Sequence, residues 1–143
     1  MGYEITTVDL WFGEIDDRPE ALAEVLEALQ RAGANLEFAI VRPSSDVLSG
    51  KSLVFVAPLV GEEQTRAARE VGLERAGGLH SLRIIGPDRP GQLAGIARTL
   101  ANAGIRVSGL WAATIGECSV QYLRLETNAD ARRAVQLLAP TLA

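Results

Sequence analysis

The chain has one cysteine and one histidine in 143 residues, and each scarcity closes off a class of chemistry. With Cys118 alone, no internal disulfide can form, and the neighbouring Gly116-Glu117 turn supplies no base to activate its thiol. With His80 alone, the histidine clusters that hold zinc are missing. Neither a Gly-x-Ser-x-Gly elbow nor a Gly-x-x-x-x-Gly-Lys phosphate loop occurs. Gly86 and Gly91 have the wrong spacing for a dinucleotide fingerprint, with Pro87 between them. The acidic run Glu14, Asp16, Asp17 reads as solvated carboxylates rather than a metal site. Catalysis, a bound metal and a cofactor are therefore not expected.

Basic residues are also in deficit. Fourteen lysines and arginines against 18 acids leave a formal charge of −4, the wrong sign for a nucleic-acid partner. The longest apolar run, Leu53 to Val60, is far below the ~20 residues that span a bilayer. Glu4 and Asp9 flank the first apolar residues, which does not suit a secretory leader. The expectation is a cytoplasmic protein with neither a membrane nor a nucleic acid as partner.

What the chain does have is a duplication. Asp-Arg-Pro occurs at Asp17-Arg18-Pro19 and again at Asp88-Arg89-Pro90, a shift of 71 residues. The same shift pairs Leu22 with Leu93, Ala23 with Ala94, Leu29 with Leu100 and Ala32-Gly33 with Ala103-Gly104. Eight of the twenty positions from Asp17 to Leu36 are identical. Two similar units side by side create a pseudo-two-fold seam, where a ligand can sit.

Within the first copy, Val8, Leu10 and Phe12 alternate as in a strand over Thr7–Gly13. Pro19 opens a helix with Leu22, Val25, Leu26 and Leu29 at helical spacing, and Gly33 ends it. Leu36 to Ile40 and Ser52 to Pro58 read as strands around a loop at Pro43-Ser44-Ser45-Asp46, Glu62 to Glu70 as a helix, and Leu73 to Ala76 as a short strand. The second copy repeats the order: strand Leu82–Ile85, helix Pro90–Ala103, strands Ile105–Thr114 and Ser119–Leu125, helix Asn128–Leu138, with little room for a last strand. The predicted fold is α+β, two ferredoxin-like βαββαβ units with antiparallel sheets and both helices on one face. The first unit is placed at residues 1–76 and the second at 79–143, linked by Gly77-Gly78.

The stretch Ile84-Ile85-Gly86-Pro87-Asp88-Arg89-Pro90-Gly91-Gln92-Leu93, followed by Ala103-Gly104-Ile105, resembles the ACT domain, a small amino-acid-sensing regulatory module. The resemblance covers the second copy well, from about Leu82 to Leu138, and the first more loosely, from about Thr7 to Leu73. It implies a non-catalytic role, with a small-molecule ligand, an amino acid, held at the seam between paired units. On that resemblance the ligand contacts fall to Asp88, Arg89, Gly91, Gln92, Leu93 and Arg106, with Asp17 and Asn35 as the first copy's counterparts. The family often has Asn where this chain has Asp17, Asp88 and Arg106, which leaves the ligand's identity open. A homodimer and a regulated enzyme or regulator are the partners it implies.

The physical chemistry points to the same turn. A helix N-terminus carries unpaired N–H groups and partial positive charge, suited to a carboxylate. Asp88 could accept from an ammonium group while Arg106 held the carboxylate. Glu20 stands where the second copy has Gly91, so the first turn is expected to bind worse or not at all. Each feature also has a plainer reading. Asp17 and Asp88 are placed to cap their helices, Arg18 and Arg89 to be solvated charges, and Trp11 and Trp111 to pack in a core or interface. The alternative function is a ligand-free structural or oligomerisation pair.

Overall fold

A computed structural model describes residues 2–44, 47–76 and 80–142. Ser45-Asp46 of the expected loop and the Gly77-Gly78 link lie outside the described residues. In chain order the elements are β1 (Glu4–Val8), β2 (Trp11–Asp16), α1 (Pro19–Arg31), β3 (Phe38–Pro43), β4 (Lys51–Ala57), α2 (Gly61–Glu70), β5 (Glu74–Arg75), β6 (His80–Pro87), α3 (Gln92–Asn102), β7 (Gly109–Ile115), β8 (Cys118–Leu125) and α4 (Asn128–Leu142). They form two compact units: an inner one, Asp9–Ala76, and an outer one that joins Met1–Val8 to Gly77–Ala143.

In the inner unit, Pro19 sits in the first turn of α1, where its missing N–H costs nothing, and Ala21, Val25 and Leu29 line the buried face four residues apart. They meet Trp11, Ile15, Val54 and Val56 from one face of a sheet ordered β3-β4-β2-β5, all antiparallel. Ala68 of α2 and Leu73 close the same core. This is the split βαββαβ arrangement, with Trp11 in the core as expected.

The outer unit has the same layout with one change of source. Its sheet is ordered β1-β6-β8-β7, and Leu82, Ile84, Leu123 and Leu125 pack with Ile96 and Leu100 of α3 and Ala131, Ala134 and Leu138 of α4. The place of the fourth strand is taken by β1, which runs antiparallel to β6 from Glu4 opposite Ile85 to Val8 opposite Ser81. The boundary expected at residues 1–76 is therefore corrected: residues 1–8 belong with the second copy. The alternation over Thr7–Gly13 spans two strands, broken at Asp9-Leu10. Without β1, β6 would present a bare row of backbone donors and acceptors, a cost that sheets are built to avoid.

Two other bounds move for local reasons. Gly91 adopts φ +77°, so α3 begins at Gln92 rather than at Pro90. Residues 105–108 bury Ile105 and approach the sheet through the Ser108 N–H, which donates to Arg124 O at 2.8 Å, but the regular strand starts at Gly109. No helix among the described residues is long and apolar enough to cross a membrane.

The pairing of β1 yields a first prediction. Deleting residues 1–8 removes Ile5 from the outer core along with a whole ladder. Hydrogen exchange should then show faster exchange across β6 and α4, while the amides of α1 and β4 keep their protection. Uniform loss across both units would contradict the assignment of β1.

Candidate functional site

The turn ahead of α3 is held by its own backbone at two points. The Asp88 N–H donates to Glu117 O at 2.9 Å, and the Gln92 N–H donates to Arg89 O at 3.2 Å. The first full helical bond runs from the Gly95 N–H to Gly91 O, at 2.9 Å. The N–H groups of Leu93 and Ala94 are thus the ones the helix leaves without an intrahelical acceptor. Of the expected contacts Gly91, Gln92 and Leu93, Gln92 already uses its backbone N–H. Gly91 occupies the N-cap position with no side-chain cap, so Asp88 is not the capping residue; Arg18 holds that position on α1, so neither is Asp17.

Gly91 is needed for its conformation. A Cβ there would meet nothing within 4 Å, but φ +77° is a region that side-chain-bearing residues enter at a cost of about 1 kcal/mol or more. Changing Gly91 to the Glu of the first copy would therefore strain the backbone as well as crowd the site. The two turns differ in shape, since Arg18 at the matching cap is extended at φ −139°.

Beneath the turn lies a polar cluster that the sequence reading missed. The ring of Tyr3, just ahead of β1, lies on Gly86, where a Cβ would collide with it. Its hydroxyl donates to the Pro87 carbonyl and lies 2.9 Å from Gln92 Oε1. Gln92 Nε2 in turn donates to Gln121 Oε1 at 3.4 Å, and the Ser119 hydroxyl lies 3.3 Å from Gly86 O. The Arg89 guanidinium stacks over the Tyr3 ring, 5.4 Å from its centre. Gln121 is only 4% exposed, and no protein acceptor for its amide nitrogen is found among the described residues.

These groups border a cavity of about 310 Å³ between the start of α3 and the edge strand β7. Asp88, Arg89, Gly91, Gln92 and Leu93 form one wall, Ala112, Ala113 and Thr114 the other, with Gln121 also lining it. Five of the eight predicted contacts are thereby brought together. Asp88 Oδ1 accepts from the Thr114 hydroxyl at 3.4 Å, so one carboxylate already faces the opposite wall.

The other three are elsewhere. Arg106 follows the far end of α3, about 16 Å of helix away, and pairs with Glu126 at 3.4 Å with its side chain 77% exposed. It shares no cavity wall with Asp88, so these two do not clasp one zwitterion within the unit. Asp17 and Asn35 lie exposed in the inner unit. There the corresponding turn is occupied by its own charges: Arg18 bonds Glu24 at 2.9 Å and lies 3.6 Å from Glu20 and 3.8 Å from Asp16. The Lys51 ammonium, hydrogen-bonded to Asp16, holds that carboxyl below its usual value, and Arg18 is raised chiefly by its bond to Glu24. Asp16's contribution to stability is present above the ordinary carboxylate range and fades as pH falls through its lowered pKa. At this exposure the effect is small.

The family model of the ACT domain matches residues 14–71. The chain contains an ACT domain. It falls in the inner unit, whereas the motif that carried the resemblance lies in the outer unit, which repeats the ACT fold with β1 as its last strand. Among solved structures, a protein from Bacteroides thetaiotaomicron is similar at a TM-score of 0.77 and 13% identity, over 92% of this chain and 88% of that one. The regulatory subunit of aspartate kinase from Thermus thermophilus is similar at 0.63 and 17%, over 96% and 97%. That from Thermus flavus is similar at 0.57 and 20%, over 95% of each. At these identities the likeness is one of fold. No curated protein matches the sequence.

The Tyr3 contacts give a second prediction. Tyr3→Phe keeps the ring on Gly86 but removes the hydroxyl from Pro87 and Gln92. Chemical denaturation should show a loss of about 1 kcal/mol. Amide exchange at Asp88 and Gln92 should accelerate; unchanged exchange there would show that the hydroxyl does not hold the turn.

Proposed function

We propose that this protein is a non-catalytic regulator that binds an amino acid in the outer unit, between the start of α3 and β7. The observation that carries this reading is Gln121: an amide lining the cavity whose Oε1 is bonded to Gln92 and whose nitrogen has no protein acceptor among the described residues, set beside the first-turn N–H groups of Leu93 and Ala94. A polar ligand there can accept from that nitrogen in place of water. The α-carboxylate meets the helix amides and Arg89, and the α-ammonium meets Asp88. Arg106, Asp17 and Asn35 have no part in this pocket. The aspartate kinase regulatory subunits offer a precedent for the fold in control of an enzyme, and a separate enzyme or regulator in the cytoplasm is the proposed recipient of the signal.

One observation favours the structural alternative. β7 is an open sheet edge with Leu110 43% and Ile115 74% exposed, a surface on which a second copy could pair. Melting curves with each of the twenty common amino acids at millimolar concentration separate the two. A ligand at a hundred times its dissociation constant adds about 2.7 kcal/mol. For a chain of this size the melting temperature should rise by roughly 5–10 °C. No rise with any of them would leave the structural reading standing.

A further inference from the structure

We infer that the ligand is an amino acid with an apolar side chain of about leucine size, a step that rests on the binding site proposed above. The side chain would lie between α3 and β7, toward Leu110. Polarity falls in one direction along this groove. On β7 the alternate residues Thr114, Ala112 and Leu110 stand opposite Ser119, Gln121 and Leu123 of β8. Each step is about 6.6–7 Å, so the surface changes from hydroxyl and amide to leucine within the length of one amino acid.

A second cavity of about 310 Å³ continues from the first, lined by Leu93, Ile96, Ala97, Val107, Leu110 and Leu123 among others. Leu93 lines both cavities and joins them. It is 37% exposed and Leu110 43%, so two leucines face each other across an open apolar channel beside a polar pocket. A charged side chain placed there would lose water without gaining a partner. An apolar one gains with every methylene covered.

The inner unit is an internal control. At the shift of 71 residues Ala97 becomes Leu26 and Ala112 becomes Val41, and the strand partner Gln121 of Ala112 is replaced by Val54, the strand partner of Val41. Thr114 becomes Pro43. The duplicated frame is thus filled by larger or apolar side chains in one copy, and kept narrow-walled with a polar floor in the other. Ala97 and Ala112 are what leave room for a side chain.

Calorimetric titration of the full chain with leucine, isoleucine, methionine, alanine and lysine tests this. Leucine should bind at least tenfold more tightly than alanine, and lysine no better than alanine. Ala97→Leu, an exposed helical position where leucine is well tolerated, should erase the leucine preference while leaving alanine's affinity within about threefold. Equal affinities for leucine and alanine, or a preference for lysine, would overturn the inference while leaving the amino-acid site in place. Binding of none of the amino acids would bring down the site itself. If Ala97→Leu instead alters the sedimentation of the protein and leaves the leucine preference intact, a second copy occupies the channel and the inference fails.

Discussion

The contact on which the outer unit most depends is that of Tyr3 with the turn ahead of α3. Its ring takes the space that a side chain at Gly86 would fill, and its hydroxyl reaches Pro87 and Gln92. At the next residue the chain enters β1 and pairs with β6 along five positions. One short segment therefore closes one sheet edge and braces the wall of the cavity formed by the turn ahead of α3. Arg89, stacked on the same ring, is oriented by that tie as well. A turn with only two backbone bonds of its own would otherwise be free to shift.

Duplication explains the frame, and divergence explains the difference between the two turns. Both copies keep Asp-Arg-Pro, the leucines of the helix face and the glycine that ends the helix. They part at the fourth residue, where Glu20 keeps α1 on an extended cap and Gly91 lets the chain make a left-handed bend before α3. That bend delays the helix and opens the space in front of it. The inner unit lines its turn with Arg18, Glu24, Asp16 and Lys51, exposed charges that pair with one another. The family match lies in this copy, so kinship with the ACT domain and a capacity to bind need not reside in the same half.

Much of this was legible in the sequence, because period and punctuation were strong. The 71-residue shift, the leucine spacing of α1 and α3 and the glycines after them located four strands and two helices in the first copy, and three strands and two helices in the second, in the right order. What failed were the places where one signal covered two structures. Val8, Leu10 and Phe12 alternate without interruption, yet Val8 ends one strand and Trp11 starts the next. The missing last strand after Leu138 was the clue that another segment had to complete the sheet. The five residues expected between Asp88 and Leu93 line one cavity because they are near neighbours in a single turn. Gln121 was missed although a signal existed: it shares parity with Leu123 and Leu125, so alternation alone puts an amide on the core face of β8.

A neutral reader suits this position better than a charged one. A buried arginine or aspartate at residue 121 would need a permanent charged partner. An amide costs less to leave half-satisfied and can present either a donor or an acceptor. Gln121 is linked through Gln92 to the Tyr3 hydroxyl. On the proposed reading, a ligand that completes the amide's bonding would stiffen the same chain of contacts that holds β1 against the sheet. Occupancy of the cavity would thereby be coupled to the closure of the outer unit, which is a physical basis on which the proposed sensor would report what it binds.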